Sequence, residues 1–349
     1  MIKNNIKLYD ISDMFSVLAN FGNQIFEASE IGNGIVIGNS YESINKIIVC
    51  GLGGSAIGGD LLRSVLWYEI KIPILVNRNY SLPSSADSNT LAIFSSYSGN
   101  TEETLTAYEE AKIRGCRIIC ISSGGKLSLL AENDNNYLIK IPKGYQPRCA
   151  IAYSFFPLLI LLSKLGLIGD KTDIIRKIIN RVRNRSEIYT SQDENINSPL
   201  KMAGHILGKI PIIYSSCDVL DIVNLRWKDQ FNENAKMLAF GNVFPELNHN
   251  EIVGWQENPE TLKKLAIISM KDIDDLPPIQ KRMKITMEMI SPLAGLFIEV
   301  DGEGSTKLER IFDLIYLGDW VSYYLAVLNK IDPTPVEKIN YLKNKMSES

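Results

Sequence analysis

The 349-residue chain has only two histidines, His205 and His249, and five cysteines with no Cys-x-x-Cys pair among them. So few nitrogen and sulfur donors leave little for a structural zinc site, which draws on four such ligands. The thiols (Cys50, Cys116, Cys120, Cys149, Cys217) are odd in number and scattered, unlike the even framework of a small secreted domain. Cys50, Cys116 and Cys120 lie in or beside apolar runs, where a reduced thiol acts as a small hydrophobe. The expected compartment is the cytoplasm. Long apolar runs are also missing. The longest, residues 155–162, contains Pro157 and ends at Ser163-Lys164, well short of the ~18 residues of a membrane span. The opening Met1-Ile2-Lys3-Asn4-Asn5 has no apolar signal core. Charge of one sign is absent: 37 basic against 40 acidic residues give a net −3, which argues against nucleic acid and anionic membrane as partners. The densest basic stretch, residues 176–185, is interleaved with Ile and Val at helical spacing and reads as a solvated helix face.

What is present is an alternation of short apolar strands and amphipathic helices. Strand-like runs fall at residues 46–52, 70–76, 91–94, 117–121 and 137–141, with helical spacing at 56–66 and 102–113. Continuous rather than alternating apolar strands indicate a parallel sheet covered on both faces. The order β-α-β-β-α-β-α-β is that of a doubly wound α/β domain. A buried helix at 150–165 and a charged amphipathic helix at 170–188 follow, then a polar loop at 191–198. The pattern then restarts with strands at 210–214, 265–269 and 296–300 and helices at 220–231, 279–289 and 306–328. The expected fold class is therefore α/β, with two tandem domains of one plan, residues 1–165 and 166–349.

Two loops at strand ends carry the chemistry. The first is Cys50-Gly51-Leu52-Gly53-Gly54-Ser55-Ala56, which formally fits the dinucleotide pattern G-x-G-x-x-A. The segment after the next strand, Val76-Asn77-Arg78-Asn79-Tyr80, has no acid to hold a ribose, although Arg78 suits a 2′-phosphate. The second loop is Ser95-Ser96-Tyr97-Ser98-Gly99-Asn100-Thr101-Glu102-Glu103-Thr104. It sits where a strand turns into a helix, a place that gathers unpaired N–H groups at the positive end of the helix dipole. Hydroxyls and N–H groups without a lysine suit a phosphate monoester held by hydrogen bonds. A plain capping box, with Asn100 as N-cap and Glu103 at the third helical position, accounts for part of the pattern. It does not account for so many hydroxyls.

The pairing of Gly-Gly-Ser with Ser-Tyr-Ser-Gly-Asn-Thr resembles the sugar isomerase (SIS) domain family. Later segments narrow the likeness. Pro147-Arg148-Cys149-Ala150, Asn232-Glu233-Asn234-Ala235-Lys236, Asn248-His249-Asn250 and Tyr341-Leu342-Lys343 fall in the order seen in the two-SIS-domain phosphoglucose/phosphomannose isomerases. The resemblance spans about residues 46–343. It implies two SIS-type domains, each a mainly parallel sheet flanked by helices. It also implies an aldose–ketose isomerase acting on glucose-6-phosphate, mannose-6-phosphate and fructose-6-phosphate, without cofactor or metal. Such a reaction moves a proton between C1 and C2 through an enediolate, work that one carboxylate can do. The resemblance places that base at Glu233. It places the enediolate-stabilising cation at Arg148, the ring-opening histidine at His249, given by the neighbouring subunit of a homodimer, and a ring-oxygen lysine at Lys343, with Lys338 as the second choice. It places the phosphate set at Gly54, Ser55, Ser96, Ser98, Gly99 and Thr101. Position 248 is Asn where some members have a second His. His205, among apolar neighbours, reads as packing or surface.

Two other readings use the same residues. A sugar-phosphate sensor would keep the phosphate loops and dispense with the base, but the first forty residues hold no basic helix-turn-helix. An NADP-dependent oxidoreductase would use the glycine loop and Arg78 and would leave the hydroxyl loop without a role.

Overall fold

The structure is a computed structural model that describes residues 2–38, 41 and 43–348; Met1 and Ser349, which bound the expected domains, lie outside them. In chain order the elements are α1 (Ile2–Tyr9), α2 (Met14–Ala19), α3 (Phe21–Asn33), β1 (Lys46–Cys50), α4 (Gly54–Val65), β2 (Ile74–Asn77), β3 (Thr90–Ser95), α5 (Glu102–Ile113), β4 (Arg117–Ser122), α6 (Gly125–Asn133), β5 (Tyr137–Lys140), α7 (Ile151–Lys164) and α8 (Thr172–Tyr189). There follow α9 (Ser198–Ile206), β6 (Ile210–Ser216), α10 (Asp221–Glu233), β7 (Phe240–Phe244), α11 (Pro259–Leu262), β8 (Leu265–Lys271), α12 (Pro277–Ile290), β9 (Leu296–Asp301), α13 (Lys307–Leu328) and α14 (Glu337–Ser347). The chain forms two compact units: Asn20–Asn180, here the first unit, and Met1–Ala19 with Arg181–Ser349, the second.

The first unit is a five-stranded parallel sheet of order β2-β1-β3-β4-β5. Its central strand β3 is buried along its whole length, as an uninterrupted apolar run requires. Side chains alternate across a strand, so Ile48, Cys50, Ala92, Phe94, Ile118 and Cys120 share one face. There they meet Ala107, Tyr108 and Ala111 of α5 and Leu127 and Ala131 of α6. Phe94 meets the Tyr108 ring edge-on at 5.3 Å, and each such fully buried side chain adds about 1.5–3 kcal/mol. Burial pushes the Cys50 and Cys120 thiols up to about 12, so both behave as the small hydrophobes the sequence suggests. Residues 70–73 precede β2 rather than extend it, and β2 itself is short.

The second unit has a four-stranded parallel sheet of order β7-β6-β8-β9. One face buries Tyr214, Phe244 and Ile267 against Met283, Met287 and Ile290 of α12. Helices α10 and α13 are joined by the buried Trp227, whose Nε1–H donates to Leu314 O at 2.8 Å. Strand β7 was not expected: Phe240-Gly241-Asn242-Val243-Phe244 lies at the sheet edge, is half exposed and lacks the continuous apolar run of its neighbours. The first nineteen residues join this unit rather than the one that follows them in sequence. Phe15 stands edge-on to Trp320 at 5.1 Å. Tyr316 donates to Leu18 O at 3.0 Å, and Tyr323 to Asp10 Oδ2 at 2.9 Å. That aromatic face belongs to α13, the one described helix of 18 or more residues that is apolar enough to cross a membrane. It is a core helix: 89% of its most apolar window is buried inside the protein.

Candidate active site

In the first unit, three segments meet beyond the carboxyl ends of β1 and β3. The glycine loop enters α4 at Gly54, where a Cβ would stand 2.6 Å from the Pro147 carbonyl oxygen. Only glycine lets the short 3-10 turn Pro147–Cys149, with its buried Arg148, press so closely on that helix start. Ser55, the next residue, accepts a hydrogen bond from the Tyr97 N–H at 3.2 Å, which ties the first loop to the second. Within the second loop the Ser96 hydroxyl accepts from Gly99 N at 3.1 Å and shares a 2.9 Å hydrogen bond with the Thr101 hydroxyl. The exposed Ser98 accepts from Asn100 N at 3.2 Å. Gly99 has φ +69°, and a Cβ there would overlap the Gly124 carbonyl oxygen. Gly54, Ser55, Ser96, Ser98, Gly99, Thr101 and Arg148 therefore belong to one loop cluster of this unit.

The helix start corrects one expectation. The N-cap of α5 is Thr101, not Asn100, and its side chain makes no cap hydrogen bond. The Asn100 Oδ1 instead accepts from Lys126 N at 3.1 Å, so no Asn100–Glu103 capping box forms. Helix α4, with Gly53 at its N-cap, has no side-chain cap either. In α4 the Ser55 and Ala56 N–H groups are taken by the Leu52 and Gly53 carbonyls at 3.1 Å, whereas in α5 the first backbone bond is that of Leu105 N to Thr101 O, which leaves the N–H groups before it for another acceptor. Glu102 and Glu103 already complement the dipole in the first turn of α5. An anion placed here would meet hydroxyls and N–H groups, with the dipole already partly offset by these two carboxylates. Arg78 makes an ion pair with Asp60 of α4, which removes the one feature that favoured a 2′-phosphate.

Two parts of this cluster were not read from the sequence. Tyr97 donates its hydroxyl hydrogen to Pro142 O at 3.0 Å and accepts from Tyr145 N at 2.8 Å. It thereby holds the stretch that leads into Arg148. The loop after β4, Ser122-Ser123-Gly124-Gly125, buttresses the second loop: the Ser123 hydroxyl donates to Tyr97 O at 2.7 Å. Its serine–glycine run after an apolar strand repeats the pattern of the first two loops and was the available signal.

In the second unit Glu233 is the last residue of α10 and is half-buried. The helix is fixed to α13 below it. Arg226 pairs with Asp319 at 2.7 Å, and the Gln230 amide donates to the same carboxylate at 2.7 Å. The Asn234 amide donates to Ser322 Oγ at 2.9 Å. Burial drives the Asp319 carboxyl above the usual range against the pull of Arg226. His249 ends a short 3-10 turn, Glu246–His249, and is exposed, while the neighbouring Asn248 amide donates to Thr286 Oγ1 at 2.8 Å. Lys338 and Lys343 both lie exposed on α14. His205 is on the surface of α9. A cavity of about 970 Å³ beside α12 and β9, lined by Lys271, Met287, Phe297 and Arg310 among others, contains none of these residues.

Comparison with known proteins follows the same division. Residues 40–166 match the SIS domain, and residues 195–346 match the bacterial phospho-glucose isomerase C-terminal SIS domain. The bifunctional phosphoglucose/phosphomannose isomerase of Caldicellulosiruptor bescii is 46% identical over 338 residues, covering 96% of this chain and 99% of that protein. The D-glucosamine-6-phosphate 4-epimerase of Sulfolobus acidocaldarius is 37% identical over 277 residues, covering 76% of this chain and 83% of its own. In structure, a hypothetical protein of Thermus thermophilus superposes with a TM-score of 0.75 at 13% identity, over 99% of this chain and 93% of that one. The last likeness is one of fold.

Proposed function

Because the chain belongs to the bifunctional phosphoglucose/phosphomannose isomerases, we propose that its loop cluster anchors the phosphate of a hexose-6-phosphate while Glu233 moves the proton. The protein is an aldose–ketose isomerase that interconverts glucose-6-phosphate, and by its family mannose-6-phosphate, with fructose-6-phosphate. The observation that carries the phosphate assignment is the uncapped start of α5 beside four hydroxyls, those of Ser55, Ser96, Ser98 and Thr101. Gly54 and Gly99 give the ester close access to the backbone.

In the proposed sequence, His249 and Lys343 exchange protons with the ring oxygen and O1, and the ring opens. Glu233 then takes the proton from one of C1 and C2 and returns it to the other. Arg148 supplies a fixed cation where negative charge develops on the enediolate oxygens. Its burial supports this role, since a guanidinium is stronger at short range away from water. We assign His249 to the neighbouring subunit of a homodimer; its exposure in the single chain agrees with that. The five free thiols, three of them buried, agree with a cytoplasmic setting.

The test is one assay on purified protein with EDTA and no added cofactor. Fructose-6-phosphate is supplied, and glucose-6-phosphate and mannose-6-phosphate are measured separately, with glucosamine-6-phosphate as a control substrate. Formation of both hexose products is expected; the absence of both would sink the isomerase reading. Glu233→Gln should lower kcat by at least ~10²-fold with little change in KM, the range for a lost acid–base group. Retained turnover would move the base elsewhere.

A further inference from the structure

Lys236 closes the Asn-Glu-Asn-Ala-Lys segment, and nothing in the proposed chemistry uses it. Its backbone is left-handed, with φ +55°. That conformation is strained for a residue with a Cβ, and glycine is the usual choice just beyond a helix. A lysine held there needs a compensating interaction from its side chain. Two hydrogen bonds serve that end. The Nζ donates to Glu233 O, a carbonyl at the negative end of the α10 dipole, and to Pro333 O at 2.9 Å. The first contact is an ordinary helix cap. The second is not: it reaches 97 residues along the chain.

Pro333 is buried and has no N–H, so its carbonyl is the only backbone hydrogen-bonding group at that residue. The adjoining turn is closed by Thr334 N donating to Asp332 Oδ1 at 2.9 Å. Three residues later the chain enters α14, which carries Lys343 and has its described side chains exposed. A helix without a buried face takes its direction from the way it is anchored at its entry.

We propose that Lys236 is a positioning residue of the isomerase: one ammonium pins the main chain of Glu233 and the segment that leads to Lys343. The proposal rests on the reading of Glu233 and Lys343 given above. The pin couples the base to the ring-opening lysine without touching substrate. Its loss leaves the phosphate loops intact and disturbs the geometry of proton transfer. Displacements of about 1 Å at such groups cost up to ~10²-fold in rate.

Lys236→Gly separates this role from a structural one, because glycine relieves the left-handed strain while removing the ammonium. Its thermal midpoint should equal or exceed that of the wild type. With fructose-6-phosphate its kcat should fall at least ~10-fold while KM stays within about threefold. Amide hydrogen exchange over residues 334–347 should be faster than in the wild type. Lys236→Arg, which keeps a cationic donor of similar reach, should restore kcat to within about threefold. Wild-type kcat in Lys236→Gly, or unchanged exchange over residues 334–347, would overturn the role while leaving the isomerase reading in place. Absence of product from the wild-type protein itself would overturn that reading, and this role with it.

Discussion

Two helices, one in each unit, begin on a threonine, and the two threonines do different things. Thr306 opens α13 with a complete capping box: its hydroxyl accepts from Glu309 N, and the Glu309 carboxylate accepts from Thr306 N at 3.0 Å. Thr101 opens α5 and caps nothing; its hydroxyl is turned to Ser96. The loops that follow two corresponding strands, β3 and β8, differ in the same sense. After β3 the chain presents uncharged hydroxyls at Ser96, Ser98 and Thr101. After β8, which pairs with β6 as β3 pairs with β1, it presents Asp272, Asp274 and Asp275. Asp272 is buried and held bidentately by Arg310 of α13, at 2.7 and 2.9 Å. Burial is the largest influence and raises its carboxyl pKa, but the hydrogen bonds from Arg310 and Asp274 N together with the charges of Arg310 and Lys307 outweigh it, and the net shift is downward. One strand plan thus yields a loop of uncharged hydroxyls in the first unit, the one proposed to receive a phosphate, and a loop of paired carboxylates in the second. Parallel topology sets where a ligand loop can be, and the local donors decide whether it is one.

Making the hydroxyl loop resemble the carboxylate one should have the largest effect. Thr101→Asp puts a carboxylate at the N-cap, where Asp is at least as good a capping residue as Thr, so the fold should be kept or slightly stabilised. The same charge faces the proposed phosphate. The value of kcat/KM for fructose-6-phosphate should fall at least ~10²-fold, or about 2.7 kcal/mol, chiefly through KM. Parallel steady-state kinetics and thermal melts would check it; unimpaired kcat/KM would remove Thr101 from the phosphate set.

That threonine also shows how far the sequence could be read. Strands β1, β3 and β4 and helix α5 were legible because uninterrupted apolar runs and helical spacing leave few alternatives, and α5 lies at residues 102–113 as expected. The N-cap was misplaced by one residue because Asn100-Thr101-Glu102-Glu103 offers two capping residues in succession, and the choice was made by a tertiary partner, Lys126 N. Strand β7 and helices α1 to α3 were not marked. Strand β7 is a half-exposed edge interrupted by Gly241, and α2 is only six residues long, held by tertiary contact with α13. Among the candidate site residues, the hydroxyl loops were visible from physical chemistry alone. Glu233, Arg148, His249 and Lys343 were placed by resemblance, since isolated charged residues at segment ends look like any solvated surface. Tyr97 and Lys236 escaped because their work lies in long-range hydrogen bonds to backbone carbonyls, which leave no spacing pattern.

At the start of α13 the threonine hydroxyl serves the fold. Thr306→Ala removes one side of the capping box and should cost about 1 kcal/mol of stability, read as a lower urea midpoint at unchanged denaturant slope. Turnover should stay within about twofold, since no proposed site residue depends on that cap. A loss of activity exceeding the loss of stability would mean that α13 transmits more to Glu233 than its packing on α10 suggests.

The smallest stability effect is expected at Thr101→Ala, and it is the sharpest form of the comparison because it is the same substitution at the same helical position. Thr101 makes no cap bond, so alanine removes only the shared hydrogen bond with Ser96 and a half-exposed methyl group. The urea midpoint should therefore move less than that of Thr306→Ala, by under ~0.5 kcal/mol. Activity should show the opposite order. Losing one hydroxyl donor to a bound phosphate costs about 1 kcal/mol, or roughly fivefold in kcat/KM. The crossing of the two variants, stability lost at Thr306 and affinity lost at Thr101, follows only if the uncapped helix start is kept for a ligand. Equal stability losses with no change in KM would mean that Thr101 is an ordinary N-cap whose hydrogen bond re-forms in solution.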